Sequence, residues 1–280
     1  MSINDELGTR MKIFYEQVPK FRLTRRTPVA IRLDGKAFHT FTKGLEKPFD
    51  ELLGQAMRAT MQYLCENVQG CVFGYTQSDE ITLILIDYQT LTTDAWFNYE
   101  IQKVCSISAS MATMAFNKFF SAYVMNTYDP ESATSIEDPL YQAYQKSLNK
   151  GAMFDSRCFN IPKEEVANLI YWRQLDATRN SIQMVGQANF SYKELQNKTC
   201  NEIQDMLLTQ KGINWNDYST HLKRGSCCIK VPDKIEFIEH ESEWGGPVQV
   251  AQRHWKWKID LNIPIFKGED RNYIEQYIYI

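Results

Sequence analysis

Asp34 and Asp79 have the settings best suited to chemistry in this 280-residue chain. Asp34 precedes Gly35 at the end of an apolar alternation, and Asp79 sits in Ser78-Asp79-Glu80 between two β-prone runs. Two carboxylates at neighbouring strand ends suit hard divalent cations, because Mg2+ takes oxygen ligands from one or two carboxylates plus phosphates and water. Two such ions ~4 Å apart stabilise both the attacking and the leaving oxygen of a phosphoryl transfer. Gly35, lacking a Cβ, would let a backbone carbonyl and a triphosphate come close. Asp-Gly and Ser-Asp-Glu are also ordinary turn sequences. Either one alone says little, and it is the two together, across one sheet, that favour a metal site. Lys36, His39, Lys43 and Lys47 follow Asp34 in a loop that either holds phosphates through its amides and a lysine or is simply a solvated basic loop. Lys103 stands alone on a weakly charged helix, where a surface lysine and a phosphate contact are both open readings.

These residues need elements to position them. Pro28 opens a strand in which Val29, Ile31 and Leu33 face one way and Ala30, Arg32 and Asp34 the other. From Pro48, the apolar set Leu52, Leu53, Ala56, Met57, Met61 and Leu64 predicts an amphipathic helix. Cys71–Tyr75 and Ile81–Ile86 read as a hairpin, and a second long helix is expected from about Trp96 to Phe120. The polar stretch 126–150 reads as an insertion or mobile loop. A fourth strand follows at Met153–Phe159. The order β-α-β-β-α-β is the ferredoxin-like split βαβ arrangement, which brings the first strand beside the central hairpin and Asp34 near Asp79. Ile3, Leu7 and Met11 predict a short N-terminal helix. Beyond residue 160 the reading is mainly helical: Glu164–Thr178, then a capping box at Thr199–Glu202 opening a helix that stops at Gly212. Short strands are expected at Cys227–Val231 and Trp255–Leu261. The fold class is therefore α+β, with a catalytic core over 1–160 and a helical part over 161–280 packed on it.

Bulk properties narrow the classes. Hydrophobic residues make up 44% of the chain and charged residues 23%, an ordinary globular balance. No apolar run approaches the roughly 20 residues that span a bilayer, and the polar N-terminus is no secretory signal, so a cytoplasmic protein without a membrane partner is expected. Seven cysteines without a C-x-x-C pair, and only four histidines, argue for reduced thiols rather than a zinc site. A net charge of −3 argues against non-specific coating of nucleic acid. Basic clusters at Lys20–Arg26, at Lys223 and Arg224, and at Arg253, Lys256 and Lys258 fit solvated loops as well as RNA contacts.

Several strings share one likeness. Arg32-Leu33-Asp34-Gly35-Lys36-Ala37-Phe38-His39, Lys47-Pro48-Phe49-Asp50, Gly74-Tyr75-Thr76-Gln77-Ser78-Asp79-Glu80, Phe154-Asp155-Ser156-Arg157, Tyr171-Trp172-Arg173-Gln174 and Gly212-Ile213-Asn214-Trp215-Asn216 occur in this order. Together they resemble the histidine-tRNA guanylyltransferase family, over about Arg32 to Lys230. The resemblance implies a palm-like domain that works in the 3′-to-5′ direction. Such a domain activates a tRNA 5′-monophosphate with a nucleoside triphosphate, ATP or GTP, and lets the 3′-hydroxyl of an incoming nucleotide attack the activated end. By position it implies Asp34, Asp79 and the Gly35 carbonyl as ligands of two Mg2+ ions. It implies Asp34, Gly35, Lys36, Ala37, Phe38, His39, Lys47, Asp50, Ser78, Asp79 and Lys103 as nucleotide-handling positions, Glu80 as a carboxylate needed for activity, and a homotetramer.

Two departures point to one branch of that family. Thr178-Arg179-Asn180-Ser181 stands where guanosine-adding members have His-Ile-Asn-Asn, and Tyr99-Glu100 stands where they have paired arginines. Both resemble the bacterial and archaeal "like" proteins, which repair 5′-truncated tRNAs on a template. The alternative is histidine-tRNA-specific, untemplated guanylation. A palm-fold nucleotide cyclase would share the metal carboxylates, but the chain lacks the Gly-Gly-Asp/Glu-Glu-Phe hairpin. A non-catalytic RNA-binding module should tolerate loss of Asp79.

Overall fold

Val29, Ile31 and Leu33 are fully buried on one face of a strand, and Ala30 packs into a separate core on the other, as the alternation requires. In the computed structural model, which describes residues 6–241 and 247–280, this strand is β1 (Val29–Gly35). With β2 (Cys71–Gln77), β3 (Glu80–Leu85), β4 (Phe154–Asn160), β5 (Ser226–Glu241) and β6 (Pro247–Asp260) it forms one sheet. The order is β4-β1-β3-β2-β5-β6, and every neighbouring pair is antiparallel. The fold is thus mixed α/β, with helices flanking a multi-strand sheet.

The helices follow in chain order. The short α1 (Glu6–Met11) and α2 (Phe38–Phe41) come first, then the long α3 (Glu51–Asn67) and α4 (Ile101–Thr127). Next are α5 (Ala133–Glu137), α6 (Pro139–Lys150) and α7 (Lys163–Asn189). The last are α8 (Tyr192–Leu195), α9 (Cys200–Lys211), α10 (Thr220–Arg224) and α11 (Asn272–Glu275). Ile3, expected on the first helix, lies outside the described residues, as does the Arg253 side chain. Among the described residues no helix is long and apolar enough to cross a membrane.

Packing on one face of β1, β3 and β4 centres on five phenylalanines. Phe38, Phe41, Phe116, Phe120 and Phe154 are at most 7% exposed, with ring centroids 5.1–5.7 Å apart. Burying such a ring is worth about 1.5–3 kcal/mol, so this cluster pins the segment after Asp34 to α4 and β4. The opposite face is covered by α7 and α11 through Val166, Ile170 and Ile274. A third apolar cluster joins α7 to α9 around Ile182, Leu207 and Trp215.

Several expectations change. The stretch 126–150 is not a loop: it folds into α5 and α6. Asp138 accepts from the Leu140 amide at 2.8 Å with Pro139 in the first turn, a strong helix start, and Tyr141, Tyr144 and Ser147 turn inward. That inward stripe is narrow and aromatic, so the surrounding polar residues mask it. The helix expected to end at Thr178 runs on to Asn189. The one expected from Trp96 instead opens with a tight turn over Trp96–Tyr99, and its α-helical part runs to Thr127. The last two strands are also longer than read, and pairing of β5 with β2 extends the same sheet into the C-terminal part of the chain. The capping box at Thr199 and Glu202 and the left-handed stop at Gly212 (φ 68) stand as read.

Candidate active site

The hairpin turn between β2 and β3 consists of two residues, Ser78 and Asp79, because Gln77 already pairs with Glu80. Thr76 Oγ1 donates to the Glu80 carbonyl at 2.8 Å and tightens it. Asp34 sits at the end of β1 opposite Glu80, and the Gly35 amide donates to the Asp79 carbonyl at 3.0 Å. One backbone hydrogen bond, from the residue that follows Asp34 to Asp79 itself, therefore ties the end of β1 to the hairpin turn at one end of the sheet.

Glycine at 35 has a second reason in the structure. A Cβ there would lie 2.3 Å from the Phe38 ring, so only glycine lets the ring fold under the loop. Ala37 (φ 53) and Ser78 (φ 49) both adopt left-handed backbone, which costs roughly 1–2 kcal/mol per non-glycine residue. Such strain clusters where a ligand is handled.

A cleft of about 660 Å3 opens over these turns. Asp34, Gly35, Ala37, Phe38, His39, Lys47, Asp50, Ser78 and Asp79 all line it. Thr42, Lys43, Gly44, Leu45, Glu46, Pro48 and Leu53, together with Met184 and Gln187 from α7, complete the wall. The α7 residues could not be read from the chain, since only the tertiary fold brings that helix to the cleft.

The structure does not bring every expected residue there. Lys36 is exposed and outside the lining. Lys103 is exposed on the first turn of α4, its Nζ 5.7 Å from the Phe97 ring centroid. Glu80 is 7% exposed and points away from the cleft: its Oε1 accepts from Arg173 Nε at 2.6 Å, and Arg32 Nε lies 4.0 Å from its Oε2. Arg173 also donates to Asp176 at 2.9 Å, so Glu80 ties the sheet to α7. The Asp50 carboxylate lines the cleft but is engaged three times. It accepts from the Leu53 amide at 2.9 Å as the N-cap of α3, from the Glu46 amide at 3.1 Å and from the Tyr144 hydroxyl at 2.7 Å. It holds the Glu46–Pro48 loop in place.

The electrostatics of the aspartate pair favour a cation. Burial pushes the Asp79 carboxyl above its usual range; the Ser78 hydroxyl at 3.0 Å opposes this, and the charge of Asp34 adds to it. Among the described residues no hydrogen bond or ion pair engages the Asp34 carboxylate. Two adjacent, partly buried carboxylates without a cationic partner form a hard-oxygen donor set that suits Mg2+. Glu80 is also pushed up by burial, but Arg173 pulls it back.

The departures at 99–100 and 178 also have a structural setting. Tyr99 and Glu100 are buried, the Tyr99 carbonyl accepts from Leu23 at 3.0 Å, and Arg22 bridges to Glu100. These positions are taken up in packing. Thr178 Oγ1 bonds the Gln174 carbonyl of its own helix at 3.0 Å.

Comparisons with known proteins find relatives over much of the chain. The family model described as Thg1, tRNAHis guanylyltransferase, matches residues 8–162. Two solved structures of a bacterial tRNA(His) guanylyltransferase (Thg1)-like protein are similar over nearly the whole chain. The one in complex with ATP is 39% identical, with TM-score 0.76, covering 98% of this chain and 100% of that one. The one in complex with GTP is 37% identical, with TM-score 0.73, covering 99% and 100%. The tRNA(His) guanylyltransferase of Saccharomyces cerevisiae is 27% identical over 71% of this chain and 80% of its own. An uncharacterized protein, R259, of Acanthamoeba polyphaga mimivirus is 30% identical over 98% and 92%.

Proposed function

The chain belongs to the tRNAHis guanylyltransferase family of nucleotidyltransferases, and from that premise we propose that it repairs tRNA 5′ ends, adding nucleotides in the 3′-to-5′ direction under the direction of the facing strand. The observation that carries the reading is the cleft in which Asp34 and Asp79 meet at adjoining turns. Its strand order β4-β1-β3-β2, with α3 and α4 as the crossovers, supports a ferredoxin-like, palm-type core.

Asp34, Asp79 and the Gly35 carbonyl would hold Mg2+. Bound there, the metal supplies charge stabilisation to the attacking and leaving oxygens of an in-line displacement. The chain's own residues do the rest. Lys43, Lys47 and His39 line the cleft and meet triphosphate oxygens as donors. Asp50 keeps Lys47 in register by clamping the Glu46–Pro48 loop. Glu80 fixes the turn that carries Asp79 by its tie to Arg173.

Template direction rests on Thr178 and on Tyr99-Glu100. With no imidazole at 178 and no guanidinium pair ahead of α4, recognition falls to acceptor-stem shape and the 5′ phosphate. Higher identity to the bacterial like-protein structures than to the yeast guanylyltransferase supports the same branch. The resemblance also supports a homotetramer.

The test incubates the protein with several 5′-truncated tRNAs that differ at the facing base, Mg2+ and all four triphosphates, and then sequences the 5′ ends. Addition of the pairing nucleotide on each tRNA, stopping when the stem is complete, is expected. Guanosine added whatever the template, and only to histidine tRNA, overturns the reading in favour of untemplated guanylation.

A further inference from the structure

Two cysteines from distant parts of the chain meet where α4 packs on the edge of the sheet. Cys105 lies in the second turn of α4 and Cys158 on the edge strand β4. Both are half-buried and reduced, with their Sγ atoms 3.6 Å apart. A disulfide holds its sulfurs ~2.05 Å apart, so a relative shift of ~1.5 Å closes the pair. One turn further along α4, Ser108 Oγ and Ser156 Oγ lie 2.8 Å apart and keep the same two elements in register. The other five cysteines are placed differently. Cys65, Cys71, Cys227 and Cys228 are at most 3% exposed, which shuts out an oxidant, and Cys200 belongs to the separate cluster between α7 and α9.

We propose that Cys105 and Cys158 form a reversible thiol–disulfide switch, closed by peroxide, that draws the start of α4 onto β4 and slows nucleotide addition. The effect on rate rests on the nucleotidyltransferase reading of the cleft, whereas the bond itself does not. Burial, with Cys105 beside it, pushes the Cys158 thiol up to about 12, so Cys158 keeps its proton and Cys105 meets the oxidant first. The Cys105 sulfur attacks one peroxide oxygen, the O–O bond breaks, and a sulfenic acid and water result. The Cys158 sulfur then displaces the sulfenic oxygen, which leaves with the Cys158 proton as a second water. Two thiols are thereby oxidised and one peroxide is reduced to two waters. The turn ahead of α4 is placed to absorb the shift, because Phe97, Asn98 and Tyr99 are all left-handed (φ 49, 51 and 52) and such strained backbone marks switch regions. The shift reaches the cleft through packing. Phe116 of α4 and Phe154 of β4 both hold the Phe38 ring, at 5.5 and 5.2 Å between centroids, and that ring anchors the segment after Asp34.

The test treats the full chain, reduced and freed of reductant, with hydrogen peroxide and maps its peptides by mass without reduction. A Cys105–Cys158 cross-link within one chain is expected, removing two of the seven thiols from titration in denaturant. The thermal midpoint should rise by at least ~4 °C. Nucleotide addition to 5′-truncated tRNA with Mg2+ should fall at least threefold, and dithiothreitol should reverse both changes. Cys105→Ser and Cys158→Ser should each keep wild-type addition when reduced and respond to peroxide in neither midpoint nor rate; either variant suffices if the other misfolds. A cross-link elsewhere or between chains, or oxidation that stops at a sulfenic or sulfinic acid on Cys105, overturns the switch. A Cys105–Cys158 bond that leaves the rate unchanged overturns its regulatory role. If the reduced chain adds no nucleotide, the nucleotidyltransferase reading fails and takes the rate effect with it, while the cross-link and the midpoint still decide the bond.

Discussion

Asp79 and Glu80 are neighbours in the chain, yet they serve two regions governed by opposite rules. Asp79 opens onto the cleft, where burial and Asp34 both work against its charge and the nearest help is a serine hydroxyl. Glu80 turns to the α7 side, where Arg173 neutralises it at 2.6 Å. One region leaves Asp34 and Asp79 without a cationic partner among the described residues and its turns left-handed, the setting in which a cation and a phosphate are proposed to bind. The other is complete by itself and supplies rigidity. Asp79 thus faces an open cleft while Glu80 is tied to α7, a difference that adjacency in sequence hides.

The largest effect should come from emptying the first region. Asp34→Ala and Asp79→Ala should each lower nucleotide addition by at least ~1000-fold, because each deletes a proposed metal ligand. Thermal unfolding should stay near wild type without Mg2+, and the stabilisation by Mg2+ that linkage predicts for wild type should vanish. Turnover retained with Mg2+ as the sole metal would place the metal elsewhere.

Breaking the second region should cost stability first. Glu80→Ala leaves the Arg173 guanidinium buried without its partner, a defect worth about 3–5 kcal/mol. Urea unfolding measures this, and the double variant with Arg173→Leu should recover a good part of the loss. If Glu80→Ala proves as stable as wild type and merely inactive, Glu80 belongs to the cleft and not to the α7 tie.

Acid sharpens the contrast. Because the folded Asp79 carboxyl lies above its unfolded value, the folded chain without metal binds a proton there more tightly than the unfolded chain does. That contribution to stability is fully present below the unfolded value and is lost as pH rises through the folded one. Mg2+ competes with the same proton. Its apparent affinity should therefore fall as pH drops through a window lying above the ordinary aspartate range, as isothermal titration at several pH values would record. Asp79→Asn should flatten that profile.

The smallest effect concerns strain. Ala37→Gly removes the cost of a left-handed alanine and should be neutral to stabilising by about 1 kcal/mol. Ser78→Gly should gain less, because it also loses the hydroxyl that bonds Asp79. Chemical denaturation resolves the two, and a clear loss for Ala37→Gly would mean that its methyl packs in a way the backbone angle does not reveal.

Local and periodic features were legible from the residues alone. Alternation over 29–34 placed Asp34 at a strand end, the string around Ser78-Asp79 placed a turn, and Thr199 with Glu202 placed a helix start, because each depends on residues within one turn or strand of one another. The motifs further carried the family and, by position, nine residues that line the cleft. Tertiary structure alone decided the rest, where the partner lies far along the chain. Arg173 reaches Glu80 from 93 residues away, Tyr144 reaches Asp50 from 94, and Met184 and Gln187 come to the cleft only because α7 runs past Thr178. Helical order within 126–150 was hidden for the same reason: its narrow inward stripe gains its energy from a core assembled by other segments. Periodicity records which face a residue takes, but not which distant group that face will meet.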